Sequence, residues 1–288
     1  MKCFHHNDLD GRCAAAIVHR VFRKSTPQDF IEIDYKTIPD FSVIKDCEDV
    51  FVVDFSFKQE DMEKLINITP NVIWIDHHST AAAYSYAKSE MKGLRDFTPN
   101  GLSGCELTWK FLFPDEELPD AVQLIGDYDS WRMKLSPGCL EFYEGLKLED
   151  NSPGSRIWKH LFGDPPYDSK ERDPSVEEET VEETKASGRS CIKYRDAYCK
   201  EMRQSFGYET EIDGLLAYAL NVYRFGSQAY GDLIEKYPVV IAYVHDGCQY
   251  TVSLYSVRDD VHCGEICKKF GGGGHKGAAG FVCKELPF

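Results

Sequence analysis

The sequence contains no run of 18 or more consecutive apolar residues, so no membrane-spanning helix is expected. It has eleven cysteines, scattered from Cys3 to Cys283, and none makes a Cys-x-x-Cys pair. That argues against a zinc cage or a dithiol redox motif. An odd number of dispersed thiols reads as reduced and structural, as in a cytosolic protein. The opening residues, Met-Lys-Cys-Phe-His-His, pass directly into polar sequence without the apolar core of a secretory signal. A cytoplasmic location is therefore expected. Basic residues are in deficit: 33 Lys and Arg stand against 48 Asp and Glu, a net charge of −15. Proteins that grip long nucleic acids neutralise phosphates with Lys and Arg. Long DNA or RNA is thus disfavoured as a partner, whereas a small anionic substrate held by metal ions and a few basic groups is compatible.

What is present is an ordinary soluble composition, 42% apolar and 28% charged. A length of 288 residues favours about two domains, each with its own core. The stretch around which the chain is organised is Asn71–Ser79. Val72 to Ile75 is a short buried strand by length and β-branching, and it runs into Asp76, His77 and His78. Charged groups at the edge of a core need partners, and a metal ion is one that suits a carboxylate beside imidazoles. Taken alone, this stretch fits a solvated strand end equally well.

The preceding chain supplies more of the same. Residues 3–6 are extended and lead into His6-Asn7-Asp8-Leu9-Asp10-Gly11, an acidic turn before a helix from Arg12 to Phe22. Phe30–Tyr35 and Val50–Phe57 read as strands, the second with Asp54 after its apolar centre, and Gln59–Ile66 as a helix. Strands alternating with helices at this spacing predict a mostly parallel, doubly wound α/β sheet. Ligands of such sheets sit beyond the carboxyl ends of the strands, where Asp8, Asp54 and Asp76 all fall. A helix at Cys105–Phe113 follows, with Ser103 as its cap and amides able to hold an anion. Pro119–Gly126 is another helix, and Asp127 and Asp129 lie at its exit.

Asp164–Glu183 is rich in Pro, Ser and acids, and Val181–Arg203 continues as a polar helix. This divides the chain into a domain over 1–165, a charged linker over 166–205 and a smaller α/β domain over 206–288. In the last, Leu215–Leu220, Val239–Val244 and Gln249–Tyr255 are strand-like, the final two forming a hairpin. A short helix at Cys263–Phe270 precedes Gly271 to Gly274, His275 and Lys276. Consecutive glycines allow backbone amides to approach an anion closely.

His6, Asp8, Asp10, Asp54, His77 and Asp127, with Asp76 and His78 beside them, form a carboxylate and imidazole set without thiolates. It suits Mn²⁺ or a similar divalent ion. The groups exceed the needs of one ion, but two ions about 3.5–4 Å apart with a bridging carboxylate would use them.

In this arrangement the chain resembles the DHH–DHHA1 phosphoesterase superfamily over nearly its whole length. His6-x-Asp8-x-Asp10-Gly11 looks like the first motif, Val53-Asp54 the second, Asp76-His77-His78 the third and Asp127 the fourth. Gly271–Gly274 with His275 looks like the hallmark of the second domain. The resemblance implies an active site in an interdomain cleft and two Mn²⁺ ions, with Mg²⁺ or Co²⁺ as substitutes. It gives His6 and Asp8 to one ion and Asp10, His77 and Asp127 to the other, with Asp54 bridging and Asp129 as rival to Asp127. His78 would face the substrate phosphate and Asp76 would orient the imidazoles. Gly272, Gly273, Gly274 and His275 would bind the distal part of the substrate. Where the family often has Ser-Leu-Arg-Ser, this chain has Ser253-Leu254-Tyr255-Ser256, and Arg258 is the candidate replacement. The expected activity is hydrolysis of short RNA oligonucleotides to 5′-nucleotides. The alternatives are a 3′-phosphoadenosine 5′-phosphate phosphatase, a cyclic nucleotide or dinucleotide phosphodiesterase, and a nucleotide-binding sensor. A homodimer is compatible with all of these.

Overall fold

The computed structural model describes residues 1–45, 47–132, 136–164 and 172–288. Its first sheet has four parallel strands: β1 (Lys2–His6), β2 (Phe30–Ile33), β3 (Val50–Val53) and β4 (Val72–Ile75). Their order is β2-β1-β3-β4, so the direction of winding reverses between β1 and β3. Strand β3 is buried at all four positions, as a central parallel strand covered on both faces must be. One face packs under helix α1 (Leu9–Val21), with Cys3, Phe51 and Val53 meeting Ala14, Ile17 and Val18. The other packs Phe4, Val52 and Trp74 against Met62 and Leu65 of α2 (Gln59–Ile68).

Several boundaries differ from the sequence reading, each for a local reason. The expected acidic turn is already helix from Leu9, because the Asp8 carboxylate accepts from the Gly11 amide at 2.9 Å and caps α1. Strand β3 stops at Val53, because Asp54 adopts a left-handed backbone (φ 52) that no strand can continue. Helices α3 (Gly104–Leu112) and α4 (Asp120–Asp129) follow, and α4 runs three residues beyond the expected Gly126. Two short helices, α5 (Cys139–Leu146) and α6 (Arg156–Leu161), add Phe142, Trp158 and Leu161 to the same core.

The chain divides into two compact units, Met1–Arg189 and Ser190–Phe288. Residues 166–171, where the expected linker begins, lie outside the described residues. Helix α7 (Pro174–Phe206) passes from the first unit into the second. Its acidic run is not solvated throughout: Glu177 is buried and accepts the Asp120 amide at 2.6 Å, capping α4.

The second unit is a six-stranded mixed sheet of β5 (Tyr208–Ile212), β6 (Leu215–Asn221), β7 (Val239–His245), β8 (Tyr250–Tyr255), β9 (Gly273–Gly274) and β10 (Ala278–Cys283). The order is β5-β6-β7-β8-β10-β9, with only β6 and β7 parallel. The expected hairpin is present as the β7–β8 pair, turned by Asp246. The short helix α8 (Leu233–Lys236) precedes β7, and α9 (Cys263–Lys269) packs Ile266 and Cys267 onto the sheet.

Candidate metal centre

At the reversal between β1 and β3, carboxyl ends of neighbouring strands leave a crevice with no crossover above it. His6 closes β1, Asp54 follows β3, and His77 and His78 come just after β4. Asp8 and Asp10 arrive on the first turn of α1, and Asp129 on the last turn of α4.

Asp54 is the centre. It is 1% exposed, and its two oxygens face different neighbours. Oδ2 lies 3.8 Å from His6 Nδ1, which is itself 2.7 Å from Asp8 Oδ2. Oδ1 lies 3.1 Å from His77 Nε2, which is 3.6 Å from Asp10 Oδ2 and 3.3 Å from Asp129 Oδ2. His6, Asp8 and Asp54 thus form one potential ligand group, and Asp10, His77 and Asp129 a second; Asp54 also groups with His77 and His78. Despite these short distances, both Asp54 oxygens and His6 Nδ1 are buried without a hydrogen-bond partner. The approaches lack the alignment an N–H···O bond needs.

The electrostatics say the same. Burial, then the neighbouring Asp10 and Asp8 charges, push the Asp54 carboxyl well above the usual range. The same causes push Asp129 up to about 8. Burial also acts against ionisation of Asp8, but His6 and the Gly11 amide outweigh it and hold this carboxyl down at about 2. Like-charged acids crowded in one crevice cannot all ionise unless a cation joins them. Among the described residues no Lys or Arg is ion-paired to Asp8, Asp10, Asp54 or Asp129; their ion-pair neighbours are histidines. Unpaired buried carboxylate and imidazole atoms, all oxygen and nitrogen donors, fit divalent metal ions of the Mn²⁺ or Mg²⁺ kind.

The surrounding groups hold these side chains still. Asp10 accepts from the Gly104 amide at 2.7 Å, the Cys105 amide at 2.9 Å and Ser103 Oγ at 2.9 Å. The anion at the start of α3 is therefore the chain's own Asp10, stabilised by the helix N-terminus. Asp76, fully buried, accepts from Ser56 Oγ, from the His77 amide at 2.8 Å and from His78 Nδ1 at 2.7 Å. Burial works against charge on His78, but Asp76 outweighs it and pushes this imidazole up to about 9. Through this bond Asp76 fixes the orientation of the His78 ring.

The fourth acid is where geometry departs from the first choice. Asp127 is not in the cluster: its carboxylate bonds Arg132 Nε at 2.7 Å and Ser136 Oγ. Asp129, the rival, stands in the cluster instead. Residues two apart on a helix point to opposite sides, and extending α4 through Asp129 makes that rule apply. Arg132 also pairs with Glu106 at 2.6 Å, and neither was picked out from the sequence as site support. The Ser103-x-x-Glu106 capping box was the available signal for Glu106. Arg132 had none. Nor had Tyr35, whose ring stands edge-on to His6 and His78 at 5.6 and 6.0 Å.

In the second unit the glycine run does not present a row of free amides. Gly271 (φ 79) and Gly272 terminate α9, their amides donating to Lys268 O at 3.1 Å and Cys267 O at 2.9 Å. This is a left-handed helix cap, the reason a glycine is needed there. Gly273 and Gly274 pair with β10. His275 is exposed; its amide donates to Ala278 O. Arg258 is exposed and pairs with Asp260 through bonds of 2.9 and 2.8 Å.

Residues 3–126 match the family model described as "DHH family, N-terminal domain". The uncharacterized protein R106 of Acanthamoeba polyphaga mimivirus is 25% identical over 254 residues, covering 82% of this chain and 53% of that protein. This chain thus spans about half the length of that relative. Oligoribonuclease NrnB of Bacillus subtilis (strain 168) is 23% identical, covering 96% of this chain and 71% of that one. Among solved structures, the pGpG-specific phosphodiesterase PggH of Vibrio cholerae is similar in fold, with a TM-score of 0.51 and 11% identity over 98% of this chain and 92% of that one.

Proposed function

From the match of residues 3–126 to the DHH family N-terminal domain, we propose that this protein is a phosphodiesterase, using two Mn²⁺ ions to hydrolyse short RNA oligonucleotides to 5′-nucleotides. The observation that carries the reading is Asp54: a buried carboxylate with both oxygens unpaired, each directed at a different group of acids and imidazoles. His6, Asp8 and Asp54 would hold one ion, and Asp10, His77, Asp129 and Asp54 the other. A pair of divalent ions supplies a water of lowered pKa and neutralises charge building at phosphorus. Asp10 stays fixed by the α3 amides, so its position does not depend on substrate. His78 keeps Nδ1 on Asp76, which leaves Nε2 as the donor for a phosphate oxygen.

The NrnB relative, an oligoribonuclease by name, supports short RNA as the substrate. So does the net charge of −15, which disfavours long polyanions. The test is a panel with Mn²⁺: a labelled dinucleotide, a 5-mer, a 24-mer, a cyclic dinucleotide and 3′-phosphoadenosine 5′-phosphate. The dinucleotide and 5-mer should be cleaved, and Asp54→Asn should lose that turnover while remaining folded. Preference for the 24-mer would refute the short-substrate assignment, and tight binding without product would favour a sensor.

A further inference from the structure

Helix α7 reverses its charge along its length. Glu177, Glu178, Glu179, Glu182 and Glu183 crowd the first half, whereas from Ser190 onward Lys193, Arg195, Lys200 and Arg203 outnumber Asp196 and Glu201. On this basic half Tyr194 and Tyr198, one turn apart, are 72% and 40% exposed. Their rings are nearly parallel, 18° apart in plane, with centroids 6.4 Å apart. The Phe225 ring stands edge-on to Tyr198 at 6.0 Å, which makes three rings contiguous.

Phe225 belongs to the loop after β6, where Tyr223 is 67% exposed and Arg224 adopts a left-handed backbone (φ 72). Arg224 is exposed and has no ion pair among the described residues. The segment that follows is pinned to the helix: Arg195 bonds the Gln228 side chain, and Arg203 the Ala229 carbonyl. Cys199 and Met202 of the same helix pack into the core of the second unit. Tyr194 and Tyr198 thus face water from a rigid base, and Phe225, half-buried against the same core, extends the surface beside them.

Aromatic side chains can each bury 150–250 Å², and a contiguous exposed set marks a binding surface. Arg195 is buried and paired with Asp196, so the exposed cations are Lys193, Lys200 and Arg224; on a protein of net charge −15 they narrow the occupant to something anionic. Rings that stack on any base, beside cations that meet phosphates, match an unpaired nucleic-acid strand. We propose that Tyr194, Tyr198 and Phe225, with Arg224, form a platform on which the bases of a short RNA strand stack. This rests on the oligoribonuclease reading for the identity of the strand, but binding, not turnover, tests it.

The 288-residue chain in EDTA is titrated with a fluorescein-labelled single-stranded RNA 5-mer and followed by anisotropy. Tyr194→Ala with Tyr198→Ala, and Phe225→Ala separately, should weaken binding at least about fivefold for each ring removed. Tyr194→Phe with Tyr198→Phe should stay within about twofold, because stacking survives loss of the hydroxyls. Circular dichroism establishes that each variant is folded. Equal affinity for the double alanine variant, or no binding by the wild type, overturns the platform. So does a change of oligomeric state by sedimentation with RNA affinity unchanged, which would make the patch a contact between copies. A wild type that binds through these rings but yields no product with Mn²⁺ defeats the oligoribonuclease reading and leaves the platform standing. Cleavage with unaltered affinity in the variants does the reverse.

Discussion

Asp127 and Asp129, two residues apart on α4, serve opposite sides of the helix. Asp129 Oδ2 is 3.3 Å from His77 Nε2, while Asp127 Oδ1 accepts from Arg132 at 2.7 Å. One acid belongs to the candidate metal cluster and the other to the scaffold that supports it. Asp129→Asn should therefore lower Mn²⁺ affinity by about tenfold or more. It should also raise the melting temperature of the metal-free protein, since it removes a half-buried acid repelled by Asp10 and Asp8. Asp127→Asn should behave the other way round. It removes one of the two acids paired with Arg132, Glu106 remaining, and should cost roughly 1–3 kcal/mol of stability with metal stoichiometry unchanged. Isothermal titration and thermal unfolding of both variants check the pair, and equal metal loss in the two would contradict the assignment.

The cluster should also make stability depend on pH. Asp129 is raised from 3.8 to about 8, and His78 from 6.5 to about 9. In both cases the folded state holds a proton that the unfolded state has released. Stability contributed this way is complete below the unfolded value and is lost as pH rises through the folded value. The metal-free protein should then unfold at lower temperature at pH 9 than at pH 6. Saturating Mn²⁺ should shrink that difference, because the cation stabilises the ionised acids. A scanning-calorimetry series in EDTA and in Mn²⁺ reads both; a rise in metal-free stability with pH would be the contrary result.

Gly104 is a site where only hydrogen fits. A Cβ there would lie 2.4 Å from Asp54 Cβ and 2.8 Å from its Cα. Gly104→Ala should displace either the bridging acid or the start of α3, whose amides hold Asp10. A destabilisation of about 1–3 kcal/mol is expected, with weakened metal binding. Denaturant unfolding measures the first and titration the second; a neutral substitution would mean that α3 can shift without cost.

Asp76 acts through His78. Replacing it by Asn removes the charge that raises the imidazole, so the His78 titration should move down from about 9 towards its ordinary value. The proton-dependent limb of the rate profile should move with it, and turnover should fall about 10- to 100-fold. Proton NMR of the metal-free protein follows the titration. Lost turnover with an unshifted His78 would point to a structural role alone.

The sequence alone was enough to determine which residues enter the candidate site from the strands. A strand's side-chain order is local, so residues placed just past an apolar run must emerge at its carboxyl end. His6, Asp54, His77 and His78 follow from that, whereas the supporting place of Asp76 was implied by the family resemblance alone. The parallel α/β sheet follows from the alternation of short apolar runs with helices. What required tertiary structure was everything set by where one element meets another. Nothing local chooses between Asp127 and Asp129, because the choice depends on how far α4 continues and on Arg132 arriving to claim one of them. The anion at the start of α3 could not be identified as Asp10 before α1 and α3 were brought together. The left-handed turn at Asp54, with Gly104 pressed against it, is imposed by the same packing. The glycines of 271–274 carry the converse lesson: the composition suggested a ligand, but the amides of Gly271 and Gly272 were needed to end a helix.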